Sequence, residues 1–336
     1  MSSNKYTTKE KRIKSLRIAA IILAVILAAS SLILIAGVIE KQFFSQYTGQ
    51  NSNNTATAEI SFDGTEYTLK DNIETVLILG LDKFEGEQTD SYNNNQQADF
   101  LMLLVIDHST KQCTALHINR DTMALMPILG VAGDQVGTVT KQIALAHTYG
   151  NGKVSCRNTS DAVSWLLHNI SVDHYISVTM DSVPIYSDLL GGVEVEVLDD
   201  FTGIDDTLIK GEKVTLTGEH ALNYVRTRYG LEDSSNERRM IRQRQFIEAV
   251  YAKTITCHQN DGNFIINAGS KLANYVVSDY TINGMQELAE TLSGYEFTGI
   301  RELEGKNVMG EKHIEFYPDE NKLTKTVVDL FYEPKK

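Results

Sequence analysis

From residue 61 onward, the order of apolar and polar residues predicts strands and helices in alternation. Residues 75–81 (TVLILGL) form a continuous apolar run, which is typical of a strand buried on both faces. Two more apolar runs, DFLMLLVID and CTALHIN, flank the polar sequence HSTKQ and are predicted to form a hairpin. The segment VEVEV alternates strictly, so one of its faces is expected to contact water, as on an antiparallel or edge strand. Two further segments are predicted as strands: HYISVTM and HIEFYP.

The predicted helices carry apolar residues three and four positions apart. In NTSDAVSWLLHNI, the polar residues Asn158, Thr159 and Ser160 are candidate N-caps. SVPIYSDLLGG is expected to end at its two glycines. The other predicted helices are KQIALAHTYG, TGEHALNYVRTR, ERRMIRQRQFIEAVYAKTI and ENKLTKTVVDLFY. This alternation predicts one α/β domain, residues 61–336, with a mixed central sheet between helical layers.

The N-terminus predicts a membrane anchor. Residues 1–17 hold six basic residues and one acidic residue, and the next 22 residues, 18–39, carry no charge. As a helix these would span about 33 Å, enough to cross the hydrocarbon core of a bilayer. A cleaved signal peptide is the alternative, but the apolar run continues past its small-residue site and favours an uncleaved transmembrane signal anchor. The positive-inside rule then predicts a single-pass type II protein with a cytoplasmic basic tail, a flexible stalk at residues 40–60 and an extracytoplasmic domain.

Charge restricts the possible partners. The formal net charge is −13, and residues 1–17 contribute +5 (six basic less one acidic), which leaves −18 on the remainder. A domain this acidic is not expected to bind nucleic acid through its general field. The three cysteines have no zinc-site spacing. Cys113 lies in an apolar run and is predicted to be buried, while Cys156 and Cys257 are candidates for a disulfide or for two free thiols.

One short stretch concentrates positive charge in this acidic chain. Residues 224–245 contain six of the eleven arginines and no lysine. Arginine is preferred over lysine where a side chain binds a phosphate or a carboxylate through two parallel hydrogen bonds, because its guanidinium is planar. The stretch is therefore either a binding site for a phosphate-bearing ligand or a set of structural salt bridges.

A helical wheel separates the arginines of this stretch. Arg239 and Gln243 share the apolar side of the predicted helix, with Arg242 at its edge, and a guanidinium buried there needs an acidic partner or a ligand. Arg244 lies on the opposite side and is predicted to form an exposed ion pair with Glu248. Arg238 is expected to be solvated.

Polar residues at predicted strand ends give a second group of candidates. Asp82 follows one strand, Asp99 precedes the next, and Arg120 and Asp121 follow the third. Ligands of α/β proteins collect at such ends. Two carboxylates close to phosphate-binding arginines would suit Mg²⁺, which takes one or two carboxylates together with phosphate oxygens and water.

These segments resemble the LytR-CpsA-Psr family of membrane-anchored enzymes. The matching pieces are VLILGLD, QADFLMLLVID, INRDT, QIALAHTYG, VDHYISVTMDSVPIYSDLLGGVEVEV, LTGEHALNYVRTR and RMIRQRQ, which run in the family's order over residues 75–253. The resemblance implies a three-layer α-β-α sandwich with an apolar cleft for a lipid. It also implies Mg²⁺-dependent transfer of a phosphoglycan from a polyprenyl pyrophosphate carrier to peptidoglycan.

The resemblance also implies roles for individual residues. Asp82 and Asp99 resemble the family's metal-binding aspartates, and Asp121 resembles the acid next to its catalytic arginine. The groups that resemble those around the pyrophosphate are Arg120, Arg226, Arg228, Arg239, Arg242 and Gln243. Asp121 and Asp233 are the candidate bases.

The chain departs from the family pattern at two positions. The family often has Arg-Ser-Asp where this chain has Gln97-Ala98-Asp99, and Lys83 is the candidate substitute for the missing cation. The family often has Asp three residues before Arg239, where Asn236 stands. A polyprenyl pyrophosphate hydrolase and a non-catalytic prenyl-phosphate sensor remain the alternative functions at this stage.

Overall fold

The computed structural model describes residues 56–82 and 96–335, which belong to one compact unit, Thr55–Lys336. The predicted anchor at residues 18–39, the basic tail, most of the stalk and Lys83 lie outside the described residues. No helix within the described ranges is long and apolar enough to cross a membrane.

A mixed sheet of six strands forms the centre of the domain, as the sequence predicts. Its order is β11-β8-β3-β4-β5-β12, with β3 parallel to β8, β5 parallel to β12 and the other neighbours antiparallel. The strands are β3 (Ile73–Leu81), β4 (Ala98–Asp107), β5 (Gln112–Ile118), β8 (His174–Thr179), β11 (Val276–Ser278) and β12 (Glu296–Glu302). The predicted β4–β5 hairpin is confirmed.

Smaller sheets surround this centre. The outer strands are β1 (Glu59–Phe62), β2 (Thr65–Leu69), β6 (Met123–Leu129), β7 (Gln135–Gln142), β9 (Val193–Glu196), β10 (Lys213–Leu216), β13 (Gly305–Met309), β14 (Ile314–Pro318) and β15 (Tyr332–Pro334). β1, β2 and β15 form one sheet, and β6–β7, β9–β10 and β13–β14 are antiparallel pairs. The strictly alternating VEVEV segment is therefore antiparallel, as predicted, and its valines face a core.

Seven α-helices occupy the described residues. They are α1 (Lys153–Leu166), α2 (Ser182–Leu189), α3 (Gly218–Arg226), α4 (Asn236–Asn260), α5 (Phe264–Leu272), α6 (Ile282–Ser293) and α7 (Glu320–Phe331). Two 3-10 helices, Ile143–Thr148 and Ala273–Tyr275, complete the helical part. The segment KQIALAHTYG is thus helical, as predicted, in 3-10 form.

The helices cover both faces of the central sheet. Leu77, Leu79 and Leu81 of β3 point to a core that includes α1 and α7. Val76 and Ile78 point to the other face, where side chains of α4 and α6 pack. Burial on both faces explains why β3 and β4 read as unbroken apolar runs. A third core joins α2, α3, β9 and α4.

One local prediction is wrong, and one alternative that the sequence left open is decided. Helix α1 begins at Lys153 after Gly152, whose φ is 54°, so Asn158, Thr159 and Ser160 are buried within the helix and do not cap it. Their polar atoms bond to backbone carbonyls, for example Thr159 Oγ1 to Ser155 O at 2.8 Å. Cys156 and Cys257 do not form a disulfide, because Cys156 is buried inside α1 and both thiols are free. Cys113 is buried, as predicted.

Candidate functional site

The candidate site begins at one edge of the central sheet, where β3 ends and β4 begins. Asp82 directly follows β3. Opposite it the register shifts, since Gly80 pairs with Phe100 and Leu81 with Ala98, which leaves Asp99 as the extra residue of a β-bulge. A bulge redirects a side chain and is common beside active sites. A Cβ on Gly80 would lie 2.9 Å from Phe100 Cβ, so only glycine permits this close pairing.

Each of these two aspartates contacts an arginine from another part of the chain. Arg226 Nη2 lies 2.6 Å from Asp82 Oδ1 in an ion pair that is half exposed. Arg120 Nη1 contacts Asp99 Oδ1, and Arg120 Nη2 donates to Gln97 Oε1 at 2.5 Å. The strand edge therefore brings together two carboxylates and two guanidiniums that are far apart in sequence.

The Arg-x-Arg sequence spans a helix end. Helix α3 ends at Arg226, and Thr227 is extended with ψ 135°. In a continuous helix Arg228 would point away from Arg226, but the extended Thr227 removes this constraint. The Arg228 guanidinium lies over the Tyr229 ring, 4.8 Å from its centroid, and Nη2 contacts the Tyr229 hydroxyl at 2.6 Å. Arg228 lies close enough to Arg120 and Arg239 for its positive charge to contribute to lowering the pKa of both.

Arg239 is buried, as the helical wheel predicts, and no acidic residue in the described ranges pairs with it. Its guanidinium is 9 % exposed and donates from Nη2 to Asn236 Oδ1 at 2.7 Å. Its Nε is buried and has no hydrogen-bond partner within the same ranges. Burial, and then the positive charges of Arg120 and Arg228, lower the pKa of Arg239 to about 10. A cation in this position lacks the partner that burial requires.

A chain of amides connects Arg239 to the loop after β5. Asn236 Nδ2 donates to Asn119 Oδ1 at 3.0 Å, and the same oxygen accepts from the backbone N–H of Asp121 at 2.9 Å. Asn119 and Asn236 are both buried. This neutral network fixes Arg239 relative to Arg120 and Asp121 and places no negative charge on Arg239.

Asp121 is the acid next to the arginines. Its Oδ1 accepts from Gln142 Nε2 at 3.0 Å and lies 3.5 Å from Arg120 Nε. Burial raises the pKa of Asp121, an effect that the positive charges of Arg120 and Arg239 oppose. A carboxylate whose pKa is raised in this way is a better proton acceptor than an ordinary aspartate.

The arginine cluster, defined as Arg120, Arg228 and Arg239, therefore carries an excess of positive charge. Burial and then Arg228 lower the pKa of Arg120, and Asp121 offsets part of that effect. Arg120 and Arg228 in turn lower the pKa of Arg239. Three guanidiniums that repel one another and are incompletely paired are suited to a multiply charged anion such as a pyrophosphate, which would relieve the repulsion.

Two other arginines of the stretch have structural partners. Arg242 is fully buried, with 0 % exposure, and its Nε donates to Tyr224 O at 2.9 Å while its other nitrogens contact Asp199 and Thr227 O. Its expected role as a pyrophosphate ligand is wrong, because its donors are used within the fold. Arg238 is not solvated as expected, since its Nε lies 2.6 Å from Asp199 Oδ1.

The predicted exposed ion pair between Arg244 and Glu248 is also wrong. Arg244 pairs with Glu302 of β12 at 2.7 Å instead of Glu248, and its side chain is largely covered. The reason is that β12 packs beside α4, so that side of the helix does not face solvent.

Gln243 and Asp233 occupy different environments. Gln243 is buried and donates from Nε2 to Val225 O at 3.3 Å, which ties α4 to the end of α3. Asp233 is exposed, and its Oδ1 accepts from Ser235 N at 2.9 Å. Hydrogen bonds with Ser235 lower the pKa of Asp233. Asp233 is thus a turn residue before α4, and Asp121 is the better-placed candidate base.

Three residues that contact the arginines or Asp121 were not predicted from the sequence: Asn119, Asp199 and Gln142. Asn119 directly precedes Arg120, so its position beside a candidate was a usable signal. Asp199 and Gln142 lie in unrelated segments, and nothing in the sequence connects them to the arginines. Within residues 56–82 and 96–335, no group of three or more His, Cys, Asp or Glu side chains is arranged to hold a metal ion.

Comparisons with known proteins agree with this architecture. The polyisoprenyl-teichoic acid–peptidoglycan teichoic acid transferase TagU of Enterococcus faecalis is 27 % identical over 261 residues, covering 76 % of this chain and 78 % of its own. The protein of the same name from Halalkalibacterium halodurans is 30 % identical over 241 residues, covering 70 % and 69 %.

Solved structures show the same fold. The structure of TagT bound to LI-WTA aligns with a TM-score of 0.60 at 20 % identity, over 83 % of this chain and 96 % of that one. B. subtilis TagV aligns with a TM-score of 0.56 at 24 % identity, over 78 % and 98 %. The LytR_cpsA_psr family profile matches residues 39–330, most of the chain, and the chain therefore belongs to this family.

Proposed function

We propose that this chain transfers a phosphoglycan from a polyprenyl pyrophosphate carrier to a hydroxyl of peptidoglycan. A cell-wall glycopolymer transferase role is supported by family membership and by the TagU relatives, whose name describes the transfer of teichoic acid from a polyisoprenyl carrier to peptidoglycan. The observation that carries the proposal is the arginine cluster. Arg239 is buried beside Arg120 and Arg228 and, among the described residues, has one amide partner and no acid, so we infer that an anion completes the site.

The cluster defines what the protein does for the reaction. The acceptor oxygen forms a bond to the phosphorus nearest the sugar, the bond from that phosphorus to the bridging oxygen breaks, and polyprenyl phosphate leaves. Arg120, Arg228 and Arg239 hold the phosphoryl oxygens on which charge develops, and positioning together with charge neutralisation supplies most of the catalysis. Asp121, with its raised pKa, accepts the proton of the acceptor hydroxyl.

Asp82 and Asp99 are proposed to hold Mg²⁺. The residues fit such an ion, because two carboxylates from neighbouring strands lie at one sheet edge, and Mg²⁺ binds through one or two carboxylates plus phosphate oxygens and water. A bound Mg²⁺ would neutralise charge on the pyrophosphate. Arg226 and Arg120 contact these carboxylates and orient them at the sheet edge.

The location outside the membrane is part of the proposal. The uncharged residues 18–39 would anchor the chain, with the domain on the outer side, where both the carrier lipid and peptidoglycan are available.

The test uses the full chain in detergent micelles with Mg²⁺, a lipid-linked glycan labelled in its sugar, and peptidoglycan. We expect label in peptidoglycan and release of polyprenyl phosphate, with both products lost in Arg239→Gln. Release of free phosphoglycan at the same rate with or without peptidoglycan would instead identify a hydrolase. Binding without turnover would identify a sensor.

A further inference from the structure

A cavity of about 480 Å³ lies next to the arginine cluster, between the first half of α4 and the C-terminal part of the chain. One wall is formed by Met240 and Ile241 of α4, and the opposite wall by Phe316 and Tyr317 of the β13–β14 hairpin. His117, at the end of β5, also lines it. Its volume lies within the range of about 300–1,000 Å³ that is usual for small-ligand sites.

The cavity and the cluster share a loop. Asn119 lines the cavity and also belongs to the amide network that positions Arg239. Phe316 N donates to Asp121 O at 2.9 Å, and Gln142 Nε2 bridges Asp121 Oδ1 and Ile314 O at 3.0 and 2.8 Å. A ligand in the cavity would therefore lie beside the loop after β5, which carries Arg120 and Asp121.

The charges in the walls argue against an anionic ligand. The lining contains four acidic and three basic residues, in contrast to the positive cluster. Most of them are already engaged, since Arg244 pairs with Glu302, Lys322 with Glu304, and Asn307 Nδ2 donates to Glu237. This arrangement offers many donors and acceptors with little net field, which favours a neutral polyhydroxyl compound.

The aromatic and buried polar groups favour the same ligand. Tyr317 is 40 % exposed, and its hydroxyl donates to Glu315 Oε2 at 2.6 Å, which holds the ring in place. The negative face of an aromatic ring attracts the C–H groups of a sugar. His117 is only 1 % exposed, and its Nδ1 has no hydrogen-bond partner within the described residues. Burial lowers its pKa to about 3, so the ring is neutral and can bond to a hydroxyl.

We propose that this cavity is a saccharide subsite, which binds a sugar ring of the peptidoglycan acceptor and presents its hydroxyl to the arginine cluster. This inference rests on the proposed function, which identifies the acceptor glycan as peptidoglycan. The glycan of the donor offers the same sugar chemistry, and the experiment separates the two sources. Pyrophosphate, by contrast, is expected to bind to the arginine cluster and not in the cavity.

The test is a set of binding titrations on the full chain in detergent, with no turnover required. The probes are a soluble oligosaccharide released from peptidoglycan, the lipid-linked donor glycan, and inorganic pyrophosphate. We expect Tyr317→Ala to weaken oligosaccharide binding at least tenfold and to leave pyrophosphate binding within twofold. Tyr317→Phe, which keeps the ring face, should bind the oligosaccharide within threefold of the wild type.

Two further variants control for folding. Met309→Ala changes an exposed residue of the same hairpin outside the cavity lining and should leave all affinities unchanged. Asn307→Ala removes an exposed lining amide and serves in place of Tyr317→Ala if the latter melts at a lower temperature. Its oligosaccharide affinity should fall at least threefold.

Three outcomes would overturn the inference. These are wild-type protein that does not bind the oligosaccharide, cavity variants that bind it as well as the wild type, and a loss confined to the donor glycan. Failure of the proposed function is distinct, because it would show as absent glycan transfer in wild-type protein that still binds the oligosaccharide through Tyr317.

Discussion

Arg242 donates from Nη1 to Asp199 Oδ2 across 2.5 Å, and neither side chain is appreciably exposed. The other oxygen of the same carboxylate lies 2.6 Å from Arg238 Nε. One buried acid therefore engages two of the six arginines of residues 224–245. Arg239, only three residues from Arg242 on the same helix, has an amide partner and no acid within the described residues. The salt-bridge interpretation of this stretch therefore holds for Arg238 and Arg242, whereas Arg239 is the residue for which a phosphate ligand is proposed.

We expect Arg242→Gln to destabilise the protein by about 3–5 kcal/mol, because it breaks a buried ion pair and leaves the carbonyl oxygens of Tyr224 and Thr227 without their donor. The measurement is the free energy of unfolding in urea. Arg226→Gln is the matched control, since its pair with Asp82 is 54 % exposed on the arginine side and should contribute about 0–1 kcal/mol. Equal losses in the two variants would contradict the structural assignment of Arg242.

The sequence predicted the features that depend on local pattern. The continuous apolar runs of β3 and β4 follow from burial on both faces, and the burial of Arg239 and Gln243 follows from helical periodicity. Helix α3 ends at Arg226 and Thr227 is extended, which is the chain turn that convergence of Arg226 and Arg228 on one ligand would require. These predictions succeeded because each depends on residues close together in the chain.

The errors arose where distant segments meet. Arg244 was expected to be exposed, but β12 joins the sheet beside β5 and supplies Glu302. Helical periodicity could not show that Asp199 lies beneath Arg242. The two departures from the family pattern also became interpretable only in three dimensions, since Gln97 accepts from Arg120 and Asn236 from Arg239. In both cases a neutral amide contacts a guanidinium at a position where the family often has a charged residue, so the site lacks one positive and one negative charge of the family pattern.

Asp82 and Asp99 should act on one divalent cation. Asp82→Asn and Asp99→Asn are each expected to reduce Mg²⁺-dependent transfer to a low residual rate while the melting temperature changes little, because both side chains lie at the sheet edge and are partly exposed. The double variant should be no worse than either single variant, as expected for groups that serve one ion. Mg²⁺ titrations of residual activity provide the measurement. Losses that multiply independently would show that the two carboxylates do not share an ion.

The free energy of unfolding should decrease as the pH is lowered, because His147 is buried in its neutral form. Burial lowers the pKa of this histidine to about 4 from the usual 6.5, so the unfolded chain binds a proton over that interval and the folded chain does not. The contribution of His147 to the free energy of unfolding is complete above pH 6.5 and is lost as the pH falls towards 4. At about 1.4 kcal/mol per pKa unit, the loss is up to about 3 kcal/mol.

The free energy of unfolding measured between pH 7 and 4 tests this, with His147→Gln as the comparison. The variant should lose less stability than the wild type over this interval. Asp161, whose pKa burial raises to about 6, has the opposite pH dependence and is present in both proteins, so it cancels in the difference. Parallel curves for the two proteins would rule out a contribution from His147.

The proposed membrane topology has a direct test. A tag at the C-terminus should be degraded by protease added to intact protoplasts, because residues after Glu40 are expected outside. A tag at the N-terminus should be protected under the same conditions and serves as the control. Protection of the C-terminal tag would place the domain inside the cell and remove access to peptidoglycan.

The central claim is that the arginine cluster is built for a pyrophosphate. Arg239→Gln should weaken prenyl pyrophosphate binding by roughly 1.5–3 kcal/mol, the range for a hydrogen bond to a charged group. Its melting temperature should stay the same or rise, since the change removes a guanidinium that Arg120 and Arg228 repel. Arg239→Lys should recover little affinity, because an ammonium cannot make a two-point contact. Arg244→Gln, which loses a pair with a half-exposed glutamate, is the control and should leave affinity unchanged.

The most direct measurement is therefore prenyl pyrophosphate affinity determined together with melting temperature for Arg239→Gln. The account predicts lost affinity with retained stability. An Arg239→Gln protein that unfolds, and that the ligand does not rescue, would contradict it and make Arg239 a structural residue like Arg242.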